Sequence, residues 1–111
     1  MIERFPDTAD AVMVVDSRQR VVGWNAAAHR LTGLGGGDVL GQHCYEVLDG
    51  RSPAGKRLCH VDCSLMKCIR RGSLPENFDL VVRTRHGHNL QVNMSVIAVR
   101  QKRRAVTIHL F

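Results

Sequence analysis

The C-terminal third of the chain contains three segments in which apolar and polar residues alternate. The apolar positions are Phe78, Leu80 and Val82 in the first segment, Leu90, Val92, Met94 and Val96 in the second, and Val106, Ile108 and Leu110 in the third. Because successive side chains of a β-strand point to opposite faces, this period of two predicts strands with one buried face each. Turns at His86-Gly87-His88 and Gln101-Lys102-Arg103 predict an antiparallel meander, with the apolar residues inward.

Two shorter strands are predicted near the start of the chain, over residues 11–15 and 20–24. Both contain β-branched valines, and the turn residues between them predict a hairpin. Asn25 suits the N-cap of a helix, because its side-chain carbonyl can accept a hydrogen bond from a free backbone N–H. A short helix is therefore predicted over residues 26–32, ended by Gly33.

The middle of the chain predicts further short helices and loops. Five glycines within residues 33–41 indicate a flexible connection, since a phosphate-binding loop would follow a strand and open a long helix. Residues 44–48 predict one helical turn, and the polar segment 51–58 predicts a loop.

A last helix is predicted over residues 63–71, with Asp62 as its cap and Gly72 as its end. Leu65, Cys68 and Ile69 are spaced so that they share one inward face. The full order is two strands, a group of short helices and three long strands. It predicts an α+β domain with a five-stranded antiparallel sheet and short helices packed on one face.

Particular residues within this order carry a family resemblance. Residues 10–16 and 20–28 resemble the PAS family's opening "D-a-(apolar)-D…G-x-(apolar)-x-x-x-N-x-A". Residues 31–33 and 38–41 resemble its "l-T-G-y…E-l-l-G" segment. The resemblance covers residues 8–111, so the chain is expected to be a single PAS sensory domain over 1–111. Residues 1–8 are then an N-terminal extension, and the output domain is absent.

The resemblance implies a sensory or regulatory role in signal transduction. Similar PAS domains detect small ligands, light, oxygen or redox state in a cavity between sheet and helices, and they pass the signal to an attached domain. The expected partners are a second copy, paired through the PAS sheet or the N-terminal segment, and a kinase or DNA-binding output domain in a longer parent chain.

Composition and charge exclude several classes. An apolar content of 44% is ordinary for a globular domain, and no apolar run approaches the roughly 18 residues of a membrane span. The start of the chain does not read as a signal peptide, so a cytoplasmic location is expected. The net charge is +6, and the basic run over residues 100–104 is interpreted as a solvated hairpin tip. Direct contact with nucleic acid or membrane is therefore not expected.

The most distinctive pattern is the spacing Cys44-x14-Cys59-x3-Cys63-x4-Cys68. Clustered cysteines in a reducing compartment bind metal or undergo redox chemistry more often than they form structural disulfides. We expect a metal centre on Cys44, Cys59 and Cys63, completed by Cys68 or His60. Thiolates suit an iron–sulfur cluster or zinc.

Other interpretations of these residues stay open. Cys68 could be core packing only, and a reversible disulfide could join Cys44 to Cys59 or Cys63. Haem is the weaker cofactor alternative, with His60 or Met94 as axial ligand. His43 is a further nitrogen ligand for a metal. Flavin is disfavoured, because the resemblance to the flavin-binding motif places a cysteine in register at position 44 but lacks the residues that hold the flavin.

A sensor is favoured over an enzyme. The sequence contains no nucleophile with a positioned base and no suggestive pair of carboxylates. A zinc enzyme using Cys59, Cys63 and His60 is the enzymatic alternative. The main hypothesis is a redox- or gas-responsive sensor, and its rival is a dimerisation module that binds no cofactor.

Overall fold

The computed structural model describes residues 10–74, 76–101 and 104–111. The strands are β1 (Val12–Asp16), β2 (Val21–Trp24), β3 (Phe78–Arg83), β4 (Asn89–Gln101) and β5 (Arg104–Leu110). The helices are α1 (Ala26–Thr32), α2 (Gly36–Val39), α3 (Cys44–Leu48) and α4 (Ser64–Arg70). The predicted N-terminal extension, residues 1–8, and residues 102 and 103 of the predicted second turn lie outside the described residues.

The strands form one antiparallel sheet in the order β2-β1-β5-β4-β3. The helical segment connects β2 at one edge to β3 at the other, so it crosses the sheet. This arrangement confirms the predicted α+β fold, with five antiparallel strands and short helices. Within the described residues, no helix is long and apolar enough to cross a membrane.

The hydrophobic core lies between the sheet and the helical segment. Its buried members are Met13, Val15, Val21, Val39, Leu48, Leu80, Val82 and Met94. The predicted inward positions of β3 and β4 are confirmed, because Leu80, Val82 and Met94 are buried. Each such side chain stabilises the fold by roughly 1.5–3 kcal/mol on burial.

The prediction for the faces of β5 is wrong. Thr107 and His109 are buried, with 5% and 6% of their surface exposed, whereas Val106, Ile108 and Leu110 are only partly buried. The cause is the register of β5, in which His109 lies opposite Met13 and Thr107 lies opposite Val15. Residues directly opposite each other in a sheet share a face, so the polar set of β5 points inward.

The apolar side chains that β5 directs outward pair with apolar side chains of its other neighbour, β4. Ile97 pairs with Ile108 and Val99 pairs with Val106. These apolar cross-strand pairs lie on the outer face of the sheet, and Ile97 is 48% exposed. The outer face therefore contains an apolar patch, defined here by Val99, Val106, Ile97 and Ile108.

Two expectations for the helical segment are corrected. The glycine-rich connection contains a single helical turn, α2, where the Asp38 carboxylate accepts a hydrogen bond from the Gly35 backbone N–H at 3.0 Å. Asp62 does not cap α4: the N-cap is Cys63, and the Asp62 carboxylate instead pairs with Arg70 at 2.6 Å. Asp62 has a φ of 51°, a left-handed conformation that an N-cap does not adopt.

Asn25 joins β1 to α1, as its predicted capping role requires. Its side-chain oxygen accepts hydrogen bonds from the backbone N–H groups of Ala28 and Val12, each at 2.9 Å. Its side-chain nitrogen donates to the Asp10 carbonyl at 3.2 Å. One side-chain amide therefore caps α1 and also accepts the hydrogen bond of the Val12 N–H in β1.

We predict that Asn25→Ala lowers the free energy of unfolding by about 2 kcal/mol, because it removes a cap and leaves the Val12 N–H without its acceptor. Urea unfolding followed by circular dichroism measures this loss. Asn25→Asp is the matched control: it keeps the accepting oxygen and should retain most of the stability. An equal loss in both variants would contradict the capping explanation.

Candidate functional site

A cavity of about 140 Å³ lies between the inner face of the sheet and the helical segment. Its wall is almost entirely apolar. The sheet contributes Met13, Val15, Phe78, Leu80, Met94 and His109, and the helical side contributes Leu48, Leu58, Leu65, Met66 and the cysteines. The predicted inward residues Leu65 and Cys68 line this cavity, although no residue of α4 is fully buried.

All four cysteines line the same cavity. Cys44 begins α3, Cys59 lies in the following loop, Cys63 is the N-cap of α4 and Cys68 lies within α4. Each is a free thiol of intermediate burial. The structure thus brings together the residues that the sequence grouped by spacing alone.

Two of the four thiols, those of Cys44 and Cys59, are held in their neutral form. Burial, with a smaller contribution from charge repulsion by Cys59 and Cys63, raises the pKa of Cys44 to about 12. Burial also raises the pKa of Cys59 to about 11, despite a partly offsetting hydrogen bond from the Gly50 backbone. At neutral pH these two side chains therefore behave as small hydrophobes rather than as nucleophiles.

The predicted nitrogen ligands lie in different surroundings. His60 lines the cavity but is exposed, with its Nδ1 at 3.0 Å from the Val61 carbonyl oxygen. His43 stacks on Tyr45 and places its Nδ1 at 3.2 Å from Glu46. In the described part of the chain, no group of three or more His, Cys, Asp or Glu residues is arranged to hold a metal. A metal centre on the cysteines stays a prediction.

Gln19, in the turn between β1 and β2, fixes the loop that carries Cys59 and Cys63. Its side-chain nitrogen donates to the His60 carbonyl at 3.2 Å, and its side-chain oxygen accepts from the Asp62 N–H at 2.9 Å. The Gln19 backbone carbonyl also accepts from the Cys44 N–H at 2.8 Å. In the sequence this residue is only part of a predicted turn, and no local pattern indicates its role.

Gly50 allows the loop to approach the sheet closely. A Cβ atom at this position would lie 2.5 Å from the Cys59 sulfur and 2.8 Å from a methyl group of Leu80. Any other residue would therefore displace one wall of the cavity. Gly50 therefore has a packing role at the cavity wall.

The alternation in β5 predicts that His109 points outward, so the sequence does not indicate its place in the cavity wall. Its Nε2 lies 3.0 Å from the Thr107 hydroxyl oxygen, while its buried Nδ1 has no hydrogen-bond partner among the described residues. Burial lowers its pKa to about 4, so the ring is neutral at physiological pH. The available signal was Ile97 and Val99, whose apolar character on the outer face of β4 favours apolar partners on the outer face of β5.

Comparison with known proteins identifies the family. The model of the PAS fold family matches residues 1–110, so the chain belongs to this family. PAS domains are generally sensory or interaction modules of signal transduction. No curated protein matches this chain.

Solved structures support the same fold. A PAS domain from a two-component sensor histidine kinase is 17% identical, with a TM-score of 0.73 over 97% of this chain and 87% of that one. The PAS domain of nitrogen regulation protein NR(II) from Vibrio parahaemolyticus is 14% identical, with a TM-score of 0.72 over 95% and 89%. The light-state dimer of the fungal blue-light photoreceptor Vivid is 22% identical, with a TM-score of 0.67 over 94% and 77%.

The buried His109 predicts a pH-dependent stability. Its pKa in the folded chain, about 4, lies below the ordinary value of 6.5, so the unfolded chain takes up a proton first as the pH falls. The contribution of His109 to the free energy of unfolding is therefore constant above about pH 6.5. It decreases by roughly 3 kcal/mol as the pH falls to about 4. Urea unfolding across this range measures the change.

His109→Phe should remove most of this slope, because phenylalanine cannot take up a proton. His88→Phe, at an exposed position, is the control and should leave the slope in place. A slope that His109→Phe does not alter would show that other groups govern the acid sensitivity.

Proposed function

We propose that this chain is a sensory PAS domain that detects a small, uncharged, mainly apolar molecule bound in the cysteine-lined cavity. The observation that carries the proposal is the cavity itself, which lies between the sheet and the helical segment and has a nearly continuous apolar wall. A ligand there contacts both the strands and the loop of Cys59 and Cys63. Binding can therefore shift the balance between two positions of that loop.

Size and charge limit the ligand. A dry apolar cavity of about 150 Å³ in another protein holds benzene or xenon, whereas sites for drug-sized ligands begin near roughly 300 Å³. The volume here, about 140 Å³, fits a molecule of the first kind and is too small for haem or flavin without opening. No Asp, Glu, Lys or Arg side chain of the described residues lines the wall, so an ionised ligand would lose most of its hydration for little compensation.

A metal centre is the second candidate, favoured by the presence of all four cysteines around one cavity. Zinc or an iron–sulfur cluster would be held by Cys44, Cys59 and Cys63, with Cys68 or His60 completing the site. The thiols would have to lose their protons on binding, and the loop would have to draw them together. A response to redox state, including a reversible disulfide, belongs to this candidate.

Two substitutions of Cys44 separate the candidates. Cys44→Leu fills the cavity and should weaken binding of cyclopentane at least tenfold, while Cys44→Ala enlarges it and should preserve binding. Chemical-shift changes in nitrogen–proton correlation spectra measure the affinity. Circular dichroism checks that both variants are folded.

Both variants lack the thiol, so a metal centre would be lost equally from each. Anaerobic purification followed by metal analysis and absorption spectroscopy tests this directly. Metal in the wild-type chain that both substitutions remove would favour the second candidate. Equal cyclopentane affinity in the two variants would contradict binding in this cavity.

We also propose that the outer apolar patch pairs two copies of the chain. The support is the exposure of Ile97, which pairs with Ile108 at the centre of that face. A kinase or DNA-binding output domain in a longer parent chain, a cytoplasmic location and the lack of direct contact with nucleic acid or membrane remain predictions.

Ile97→Glu should weaken self-association at least tenfold, because it places a charge at the centre of the patch while leaving the buried core intact. Sedimentation over a concentration series measures the dissociation constant. Leu40→Glu, similarly exposed at 50% but located after α2, is the matched control and should not affect association. A monomeric wild-type chain, or a dimer unchanged by Ile97→Glu, would contradict this interface.

A further inference from the structure

We propose that the cysteine-lined cavity binds Cu(I), and that the ligands of the ion are Cys59, Cys63 and Met66. This inference rests on the metal candidate of the proposed function: it names the metal and places Met66 where that candidate has Cys44. It depends on a sulfur donor of another kind, the Met66 thioether, which lies on the wall of the same cavity.

Sulfur is the prevailing donor element on the cavity wall. All four cysteines line it, and so do three of the four methionines, Met13, Met66 and Met94. No carboxylate of the described residues lies there. Thiolates and thioethers are soft ligands, and a site built from both favours Cu(I) over metals that prefer oxygen or nitrogen.

The start of α4 places two of these sulfur residues beside each other. Cys63 is the N-cap of α4 and Met66 is its third residue, and the side chains at these two positions meet in the first turn of a helix. Both residues line the cavity and are only partly buried. Cys59 lies in the preceding loop, close enough to Cys63 for the two thiolates to repel each other. The three residues therefore form one wall of the cavity.

The third donor decides which metal fits this wall. Structural zinc is bound by Cys, His, Asp and Glu side chains. No three such residues among those that the structure describes are arranged to hold a metal. A site on Cys59 and Cys63 therefore needs another kind of donor, and the Met66 thioether is a ligand for Cu(I).

Charge favours Cys59 over Cys44 as a ligand. Burial raises the pKa of both thiols, but the Arg57 guanidinium near Cys59 acts against the increase there. The Arg57 Nε donates to the Cys59 carbonyl at 3.1 Å, so this cation is held beside the site. It offsets the single negative charge that two thiolates and one Cu(I) carry together.

Binding involves no change of oxidation state. The S–H bonds of Cys59 and Cys63 break, two Cu–S bonds form and two protons pass to solvent, while the Met66 thioether binds without losing a proton. Because α4 has no fully buried residue, the ion can draw this helix toward the loop of Cys59. Occupancy of the site thereby becomes a change in the position of α4.

The test titrates the reduced chain anaerobically with Cu(I) in competition with the chelator bathocuproine disulfonate. Met66→Leu should weaken binding at least tenfold, because it removes a ligand but keeps the volume of the side chain. Met94→Leu, which removes another methionine from the same cavity, is the matched control and should stay within about twofold. Equal affinity of the two variants would overturn the role of Met66. Circular dichroism checks that each variant is folded.

Ligation by a thioether is measured independently by copper-edge X-ray absorption of the chain labelled with selenomethionine. A Cu–Se contact in the wild-type chain is expected, and it should persist in Met94→Leu and disappear in Met66→Leu. A copper ion without a Cu–Se contact would overturn the inference. The wild-type spectrum alone decides this point, so the test holds even where Met66→Leu fails to fold.

Substitutions of two cysteines separate this site from the other candidates. Cys63→Ser should abolish Cu(I) binding, whereas Cys44→Ala should retain it. Loss in both variants, or preference of the wild-type chain for zinc or iron, would overturn this inference and leave a metal centre on Cys44, Cys59 and Cys63. A chain that binds cyclopentane but no metal would overturn it and leave the small-molecule sensor. Failure to bind either would overturn the proposed function as well.

Discussion

The hydrogen bonds of Gln19 are the interactions on which the site depends. The Gln19 side chain is buried. Its nitrogen donates to the His60 carbonyl and its oxygen accepts from the Asp62 N–H, both in the loop that carries Cys59 and Cys63. The Gln19 backbone carbonyl accepts a hydrogen bond from the N–H of the first residue of α3. The turn between β1 and β2 thereby holds both helical walls of the cavity. No residue of α4 is fully buried, so these hydrogen bonds add to the partial packing of that helix in holding the loop.

The face that β5 presents inward is the second constraint. Alternation within a strand predicts that one face is apolar, but it does not say which face is inward. The register with β1 places His109 beside Met13 and directs Ile108 outward. The same register therefore creates both the polar group in the cavity and the apolar patch on the outer face.

Local signals predicted the fold and both ends of α1. Asn25 caps α1 and Gly33 ends it with a φ of 79°, since both effects act within a few residues. The hairpin of β1 and β2 and the meander of β3, β4 and β5 were predicted from the alternation and turns, whereas the pairing of β1 with β5 was not. The role of Gln19 could not be predicted, because its partners are brought together only by the tertiary structure. For His109, the apolar Ile97 and Val99 of β4 indicate the inward face only once the pairing of β4 with β5 is known. Asp62 does not cap α4 because its backbone is left-handed, with a φ of 51°, and no local pattern indicated that conformation.

The two candidate functions of the cavity require opposite states of the same thiols. A small neutral ligand needs them protonated, and a metal needs them ionised. With a pKa of about 12, ionising Cys44 at neutral pH costs about 7 kcal/mol. Structural zinc sites release roughly 10–16 kcal/mol on binding, which is more than this cost for one thiol, so the raised pKa of Cys44 weakens a metal site without excluding it. Metal binding would then release protons and close the cavity, which makes the two forms of occupancy mutually exclusive.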